Sequence, residues 1–275
     1  MLLLTSLMAS AADGSLERGS SMSTTFGHVR VDGAHLQAAT EEGEAAYSAA
    51  KTVLGLRKPR FSIVELDYTS HNWGDRASDG TFVYVWQFNK GPDDQRQIPP
   101  AYLLRHEIGH DLFIRHLAPS TKADQYGGDA PDWLDEMAAV AFEGEALRST
   151  RRRGAVRYAQ EGKLIPLQRF LAMTHPEMEA GSIPDPSDRL VRPFEPASDD
   201  TPRFYVMASA FYDFLVARTK NPAIVAELAA AFRKGQPLER WILARTGNKG
   251  GIQALNADFQ AWVATDARYG GGSGH

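Results

Sequence analysis

The chain has 275 residues, 43% of them hydrophobic and 23% charged, so it can close around one large core or two small ones. The 34 acids against 30 bases give a formal charge of -4, which lacks the basic footprint of a nucleic-acid binder, and no nucleic-acid partner is expected. With no cysteine there is no disulfide framework, no thiolate metal site and no cysteine nucleophile, so a metal could be held only by histidines and carboxylates.

In chain order, residues 1–12 form a short apolar segment ending in Ala9-Ser10-Ala11, the small-x-small pattern of a signal-peptidase site, but without a basic leader. It raises the expectation of a secreted or periplasmic protein, with a cytoplasmic one as the alternative. Asp13 to Thr25 are Gly, Ser, Thr and charges without periodicity, so residues 1–25 read as a signal remnant and disordered lead-in, with folded structure starting near Phe26. Helical composition covers Gly33 to Leu54, and alternating segments from Arg60 to Tyr68 and Thr81 to Phe88 predict strands. The second strand reads either as an edge able to accept an extended peptide or as an interior strand. Pro99 and Pro100 suit the first turn of a helix running from Ala101 to about His116, and Gly127, Gly128 and Pro131 open another through Leu147.

Arg151 to Arg153 read as a solvated turn, and the prolines at 184, 186, 193, 196 and 202 predict a long irregular connection from Gly181 to Pro202. Phe204, Ala208, Phe211 and Leu215 then repeat at helical spacing, followed by helical patterns over Pro222 to Phe232, Leu238 to Arg245 and Ala254 to Thr265. No apolar run is long enough for a transmembrane segment. Residues 26–269 are read as one domain, with an N-terminal α/β lobe to about residue 150, a helical lobe over 151–269 and a flexible tail at 270–275.

The chemistry concentrates in His106-Glu107-Ile108-Gly109-His110. On a helix the two histidines stand about 40° apart and one turn above each other, so both imidazoles can reach one ion, with Glu107 beside them as a candidate general base. A catalytic zinc takes three protein ligands and keeps a fourth position open. Downstream, Pro131-Asp132-Trp133-Leu134-Asp135-Glu136-Met137-Ala138-Ala139 starts a helix carrying carboxylates, and Glu136 is the best third ligand.

These motifs resemble the gluzincin metallopeptidases, in which H-E-x-x-H is followed on a later helix by W-L-x-E-x-x-A, here Trp133, Leu134, Glu136 and Ala139. The resemblance extends over about residues 81–215, with Tyr205 opening an Ala/aromatic helix as the family's tyrosine does. It implies an α+β zincin-like metallopeptidase domain with a small sheet, an active-site helix and a mainly helical C-terminal lobe. It further implies Zn2+ as cofactor on His106, His110 and Glu136, Glu107 as general base, Tyr205 as oxyanion donor, and a peptide or protein substrate cut by an endopeptidase. The rival is a catalytically silent scaffold that binds peptides or proteins, for which Glu107 would have no use.

Two departures stand out. The G-x-M-x-N segment of the aminopeptidase branch is absent, and Val140 occupies the place of an acid that thermolysin-like members carry four residues after the ligand Glu. Asp111, Asp135 and Glu143 remain open as carboxylates that could orient a ligand histidine. His116 has the metzincin spacing but follows Phe113 where that family needs glycine, so a continuing helix turns it away. Tyr212, His175 and Arg203 are the alternatives to Tyr205.

Overall fold

The computed structural model describes residues 20–66, 74–76, 82–88, 103–120, 128–176 and 200–266. The signal-like segment, most of the proline-rich connection and the tail lie outside them. The chain divides into two compact units, the first made of residues 1–48, 58–104 and 184–194 and the second of residues 49–57, 105–183 and 195–275.

The first unit holds a five-stranded sheet and most of one helix. The strands are β1 (Ser20–Ser23), β2 (His28–Val31), β3 (Phe61–Leu66), β4 (Gly74–Arg76) and β5 (Phe82–Phe88), and α1 (Leu36–Val53) connects β2 to β3. Their order is β1-β2-β3-β5-β4, parallel in the middle and antiparallel at both edges. Val29, Val31, Phe61 and Ile63 are buried, and Phe26 stacks on Phe61 at 4.6 Å. On α1 a Cβ at Gly43 would fall 2.2 Å from the Phe26 ring, so glycine lets the helix close onto that aromatic.

Two expectations change in this unit, and one open alternative is decided. Ser20 to Ser23, read as lead-in, pair antiparallel with β2; all four face solvent, so the strand is held by its backbone and carries no apolar alternation. β2 and β4 were not expected, being four and three residues long. Of the two readings of the strand over Thr81 to Phe88, the interior one holds, because β5 is flanked on both sides, by β3 and, over Phe82 to Tyr84, by β4.

The second unit is helical: α2 (Leu104–His116, whose first residue still belongs to the first unit), α3 (Asp132–Phe142), α4 (Glu145–Gln160), α5 (Leu167–Phe170), α6 (Asp200–Thr219), α7 (Ile224–Arg233), α8 (Leu238–Thr246) and α9 (Gly251–Thr265). Every residue of α3 from Trp133 to Phe142 is buried, as expected of a helix packed on all sides. It packs on α6, which also packs on α4. Phe170, Phe204, Phe211, Phe214 and Phe259 form an aromatic core with ring centroids 5.4 to 6.2 Å apart. Among the described residues no helix is long and apolar enough to cross a membrane.

Here too the sequence reading needs correction. The helix expected through Leu147 stops at Phe142, because Glu143 and Gly144 take extended ψ angles of 147° and 163° before α4 starts. Arg151 to Arg153 lie inside α4 rather than in a solvated turn. α6 begins at Asp200, so Pro202 belongs to its first turn, where a missing N–H costs nothing.

Candidate metal centre

α2 presents His106 and His110 on one face, and their Nε2 atoms lie 3.1 Å apart. α3 supplies Glu136, with Oε1 3.6 Å from His106 Nε2 and Oε2 3.6 Å from His110 Nε2. The three side chains form a group able to hold a metal ion.

Close helix contact makes this meeting possible. A Cβ at Gly109 would lie 2.8 Å from Ala139 Cα and 3.3 Å from the Ala138 carbonyl, so α2 and α3 approach backbone to backbone there. Gly109 precedes His110, and Ala139 is nearly one turn beyond Glu136, which places the contact beside the ligand atoms.

Each imidazole is held from behind by a different carboxylate. His106 Nδ1 bonds Glu143 Oε1 at 2.8 Å, and His110 Nδ1 bonds Asp135 Oδ2 at 2.8 Å. With Nδ1–H donating, both Nε2 lone pairs point inward, the tautomer that a metal ligand requires. Of the carboxylates left open by the sequence, two serve, and Asp111 instead pairs with Arg115. The break after α3 puts Glu143 in place, a feature that a continuous helix would not have produced.

The electrostatics favour a cation between these groups. Burial opposes charge on His110, yet Asp135, by charge and hydrogen bond, with Glu136 and Glu107, raises its pKa to about 10. Burial raises Glu136 above the usual carboxylate range, partly offset by His106, His110 and Arg151. Burial alone would also raise Glu143, but hydrogen bonds from His106 and Arg151 hold it below that range.

Zinc suits this arrangement on two observations. Both Glu136 oxygens are buried and have no hydrogen-bond partner among the described residues, a state that is costly for a carboxylate unless it binds an ion. Donors about 2.0–2.1 Å from a tetrahedral ion stand roughly 3.3 Å apart, and the separations here are 3.1, 3.6 and 3.6 Å.

Glu107 is half-buried on α2. Tyr205, also half-buried, lies with its ring 6.1 Å from that of His106 and 5.5 Å from that of His175. Tyr212 is engaged elsewhere, its hydroxyl donating to the Pro222 carbonyl at 3.1 Å. Arg203 pairs with Asp200, and His116 is exposed at the end of α2. His175 is fully buried, Nε2 3.9 Å from Glu136 Oε2, with its backbone N–H donating to Asp132 at 2.7 Å. Sequence reasoning missed Arg151, which bonds Glu143. The available signal was the recurrence of Arg148, Arg151 and Arg152 at three and four, which on a helix is one face turned toward acids.

No protein-family model matches the chain, and no curated protein sequence matches it. Among solved structures it is similar to yeast LTA4 hydrolase in complex with bestatin, at 14% identity and a TM-score of 0.37. The match covers 89% of this chain and 36% of that one, so the chain spans about a third of that protein. A score at this level assigns neither fold nor activity.

Proposed function

We propose that the chain is a zinc-dependent peptide hydrolase of the gluzincin kind, cutting internal peptide bonds. The observation that carries the reading is the convergence of two Nε2 lone pairs and a buried carboxylate without hydrogen bonds among the described residues, at tetrahedral donor spacing. His106, His110 and Glu136 would hold the ion, and two nitrogens with one carboxylate is a donor set used by catalytic zinc. Bound zinc supplies Lewis acidity toward a carbonyl and acidifies water. Glu107 takes the proton from the attacking water and returns it to the leaving amine. Tyr205 donates its hydroxyl to the oxyanion that develops on the carbonyl. Asp135 and Glu143 keep the imidazoles in their ligating tautomer throughout. Internal cleavage is favoured over amino-terminal trimming because no G-x-M-x-N segment is present.

Elemental analysis of the purified chain, with hydrolysis of a mixed peptide library by wild type and Glu107→Gln, tests this reading. One zinc in each protein and internal cleavage by wild type alone are expected, since the amide keeps the shape but cannot take the proton. Absence of zinc from both overturns the proposal. Equal cleavage by both removes Glu107 from its role, and zinc without cleavage in wild type favours the silent peptide-binding scaffold.

A further inference from the structure

Arg151 lies in α4 with its side chain only 13% exposed. Its Nε donates to Glu143 Oε2 at 2.6 Å and a terminal nitrogen donates to Oε1, so one planar fork grips both oxygens of that carboxylate. Glu143 Oε1 is the atom that bonds His106 Nδ1. The same guanidinium sits over the Tyr205 ring, 5.0 Å from its centroid. One side chain thus touches the carboxylate behind a candidate metal ligand and the ring of the candidate oxyanion donor.

Its neighbours on α4 do something else. Arg148 and Arg152 both reach Asp213, a buried acid of α6, and so join α4 to α6. Arg151 is turned from that acid to Glu143 at the α3–α4 break.

We infer that Arg151 is a positioning residue of the hydrolytic site, fixing Glu143 on His106 and the Tyr205 ring beside it so that ligand and oxyanion donor keep one relative placement. The inference rests on the zinc-hydrolase reading for what His106 and Tyr205 do, whereas the grip on Glu143 can be measured without it. Charge alone is not enough for this task. A lysine ammonium is a point donor that cannot hold both Glu143 oxygens and also lie flat over a ring.

The test uses the full chain as wild type, Arg151→Lys, Arg148→Met, Glu143→Gln and the double variant Glu143→Gln/Arg151→Lys. Zinc affinity is measured by chelator competition, kcat and KM on a peptide that wild type cleaves, and the His106 Nδ1–H resonance by NMR. Arg151→Lys is expected to weaken zinc about ten- to a hundredfold and to lower kcat with KM little changed. In the Glu143→Gln background the same change should add little, because its effect on zinc passes through Glu143. Arg148→Met should lower the melting temperature while leaving zinc affinity and the His106 resonance unchanged.

The inference is overturned if Arg151→Lys matches wild type in zinc affinity and kcat, if its effect on zinc adds fully to that of Glu143→Gln, or if Arg148→Met weakens zinc equally. If wild type takes up no zinc, the hydrolase reading fails separately and the resonance decides. Its loss or upfield shift in Arg151→Lys supports the grip, and its persistence unchanged overturns it. Arg151→Gln carries the same comparison should the lysine variant not fold.

Discussion

Two imidazoles that aim Nε2 lone pairs at each other across 3.1 Å need a cation between them, either a proton or a metal. Single changes to alanine at His106, His110 or Glu136 should therefore each abolish tight zinc binding, because two donors cannot hold the ion at comparable affinity. His116→Ala should bind zinc like wild type, and zinc loss in that variant alone would move the site to another register. Tyr205 and Tyr212 separate catalysis from packing. Tyr205→Phe should lower kcat about ten- to a thousandfold at constant KM and zinc content. Tyr212→Phe should instead cost about 1 kcal/mol of stability, since it loses only the bond to the Pro222 carbonyl, and leave kcat alone. Steady-state kinetics and urea melts on both variants check this, and the reverse pattern would place the wrong tyrosine at the site. His106, His110 and Glu136 were readable because i, i+4 spacing and a neighbouring helix start are local facts. The choice among Asp111, Asp135 and Glu143 was not, since it depends on how α3 is rotated against α2 and where α3 ends. Arg151 was misread because a run of three arginines reveals nothing of the buried carboxylate that only folding brings to the first of them.

At the scale of elements, the site depends on how closely two helices approach. Gly109→Ala should raise the intrinsic helix propensity of α2, alanine being favoured over glycine by about 1 kcal/mol in a helix interior. In the protein the new methyl meets Ala139 Cα at 2.8 Å, and a backbone atom cannot swing aside as a flexible side chain would. The overpacking term of about 1–3 kcal/mol should win. The separation of α2 from α3 should also weaken zinc binding, although no ligand has changed. Denaturant melts and chelator competition read the two effects, and a variant with wild-type zinc affinity would show that the close approach of α2 to α3 at Gly109 does not set the distance from Glu136 to the histidines. The long helices were legible because their apolar period continues for several turns. β1 and β4 were not, since Ser20 to Ser23 have no buried face and a three-residue strand has no period to detect. The α3–α4 break also escaped, because Glu143-Gly144 looks like two tolerable residues in an otherwise helical stretch.

For the whole molecule, two strand segments ahead of a run of helices agreed with the α+β architecture that the motif resemblance implied, and the parallel strands β2 and β3 are joined through α1, as a parallel pair requires a crossover connection. The place of β5 was not readable, because it depends on β4 returning to cover it. In the second unit, the metal group ties α2 to α3, and α3 is buried against α6, so an ion that binds only the assembled helices adds its binding energy to folding. At free zinc a hundred times its Kd this linkage contributes about 2.7 kcal/mol, and the midpoint of thermal or urea unfolding should rise accordingly. A strong chelator should lower that midpoint, zinc should restore it, and magnesium, which prefers oxygen donors and keeps its waters, should not. Glu136→Gln separates linkage from a general effect of the chelator. With zinc present the variant should be less stable than wild type, because its weakened site gains little from the metal. In chelator the gap should close, because wild type then retains a buried carboxylate without hydrogen bonds among the described residues, while the amide can donate to an imidazole Nε2. If both proteins respond equally to chelator, or wild type does not respond at all, the ion is not part of what holds α2 on α3.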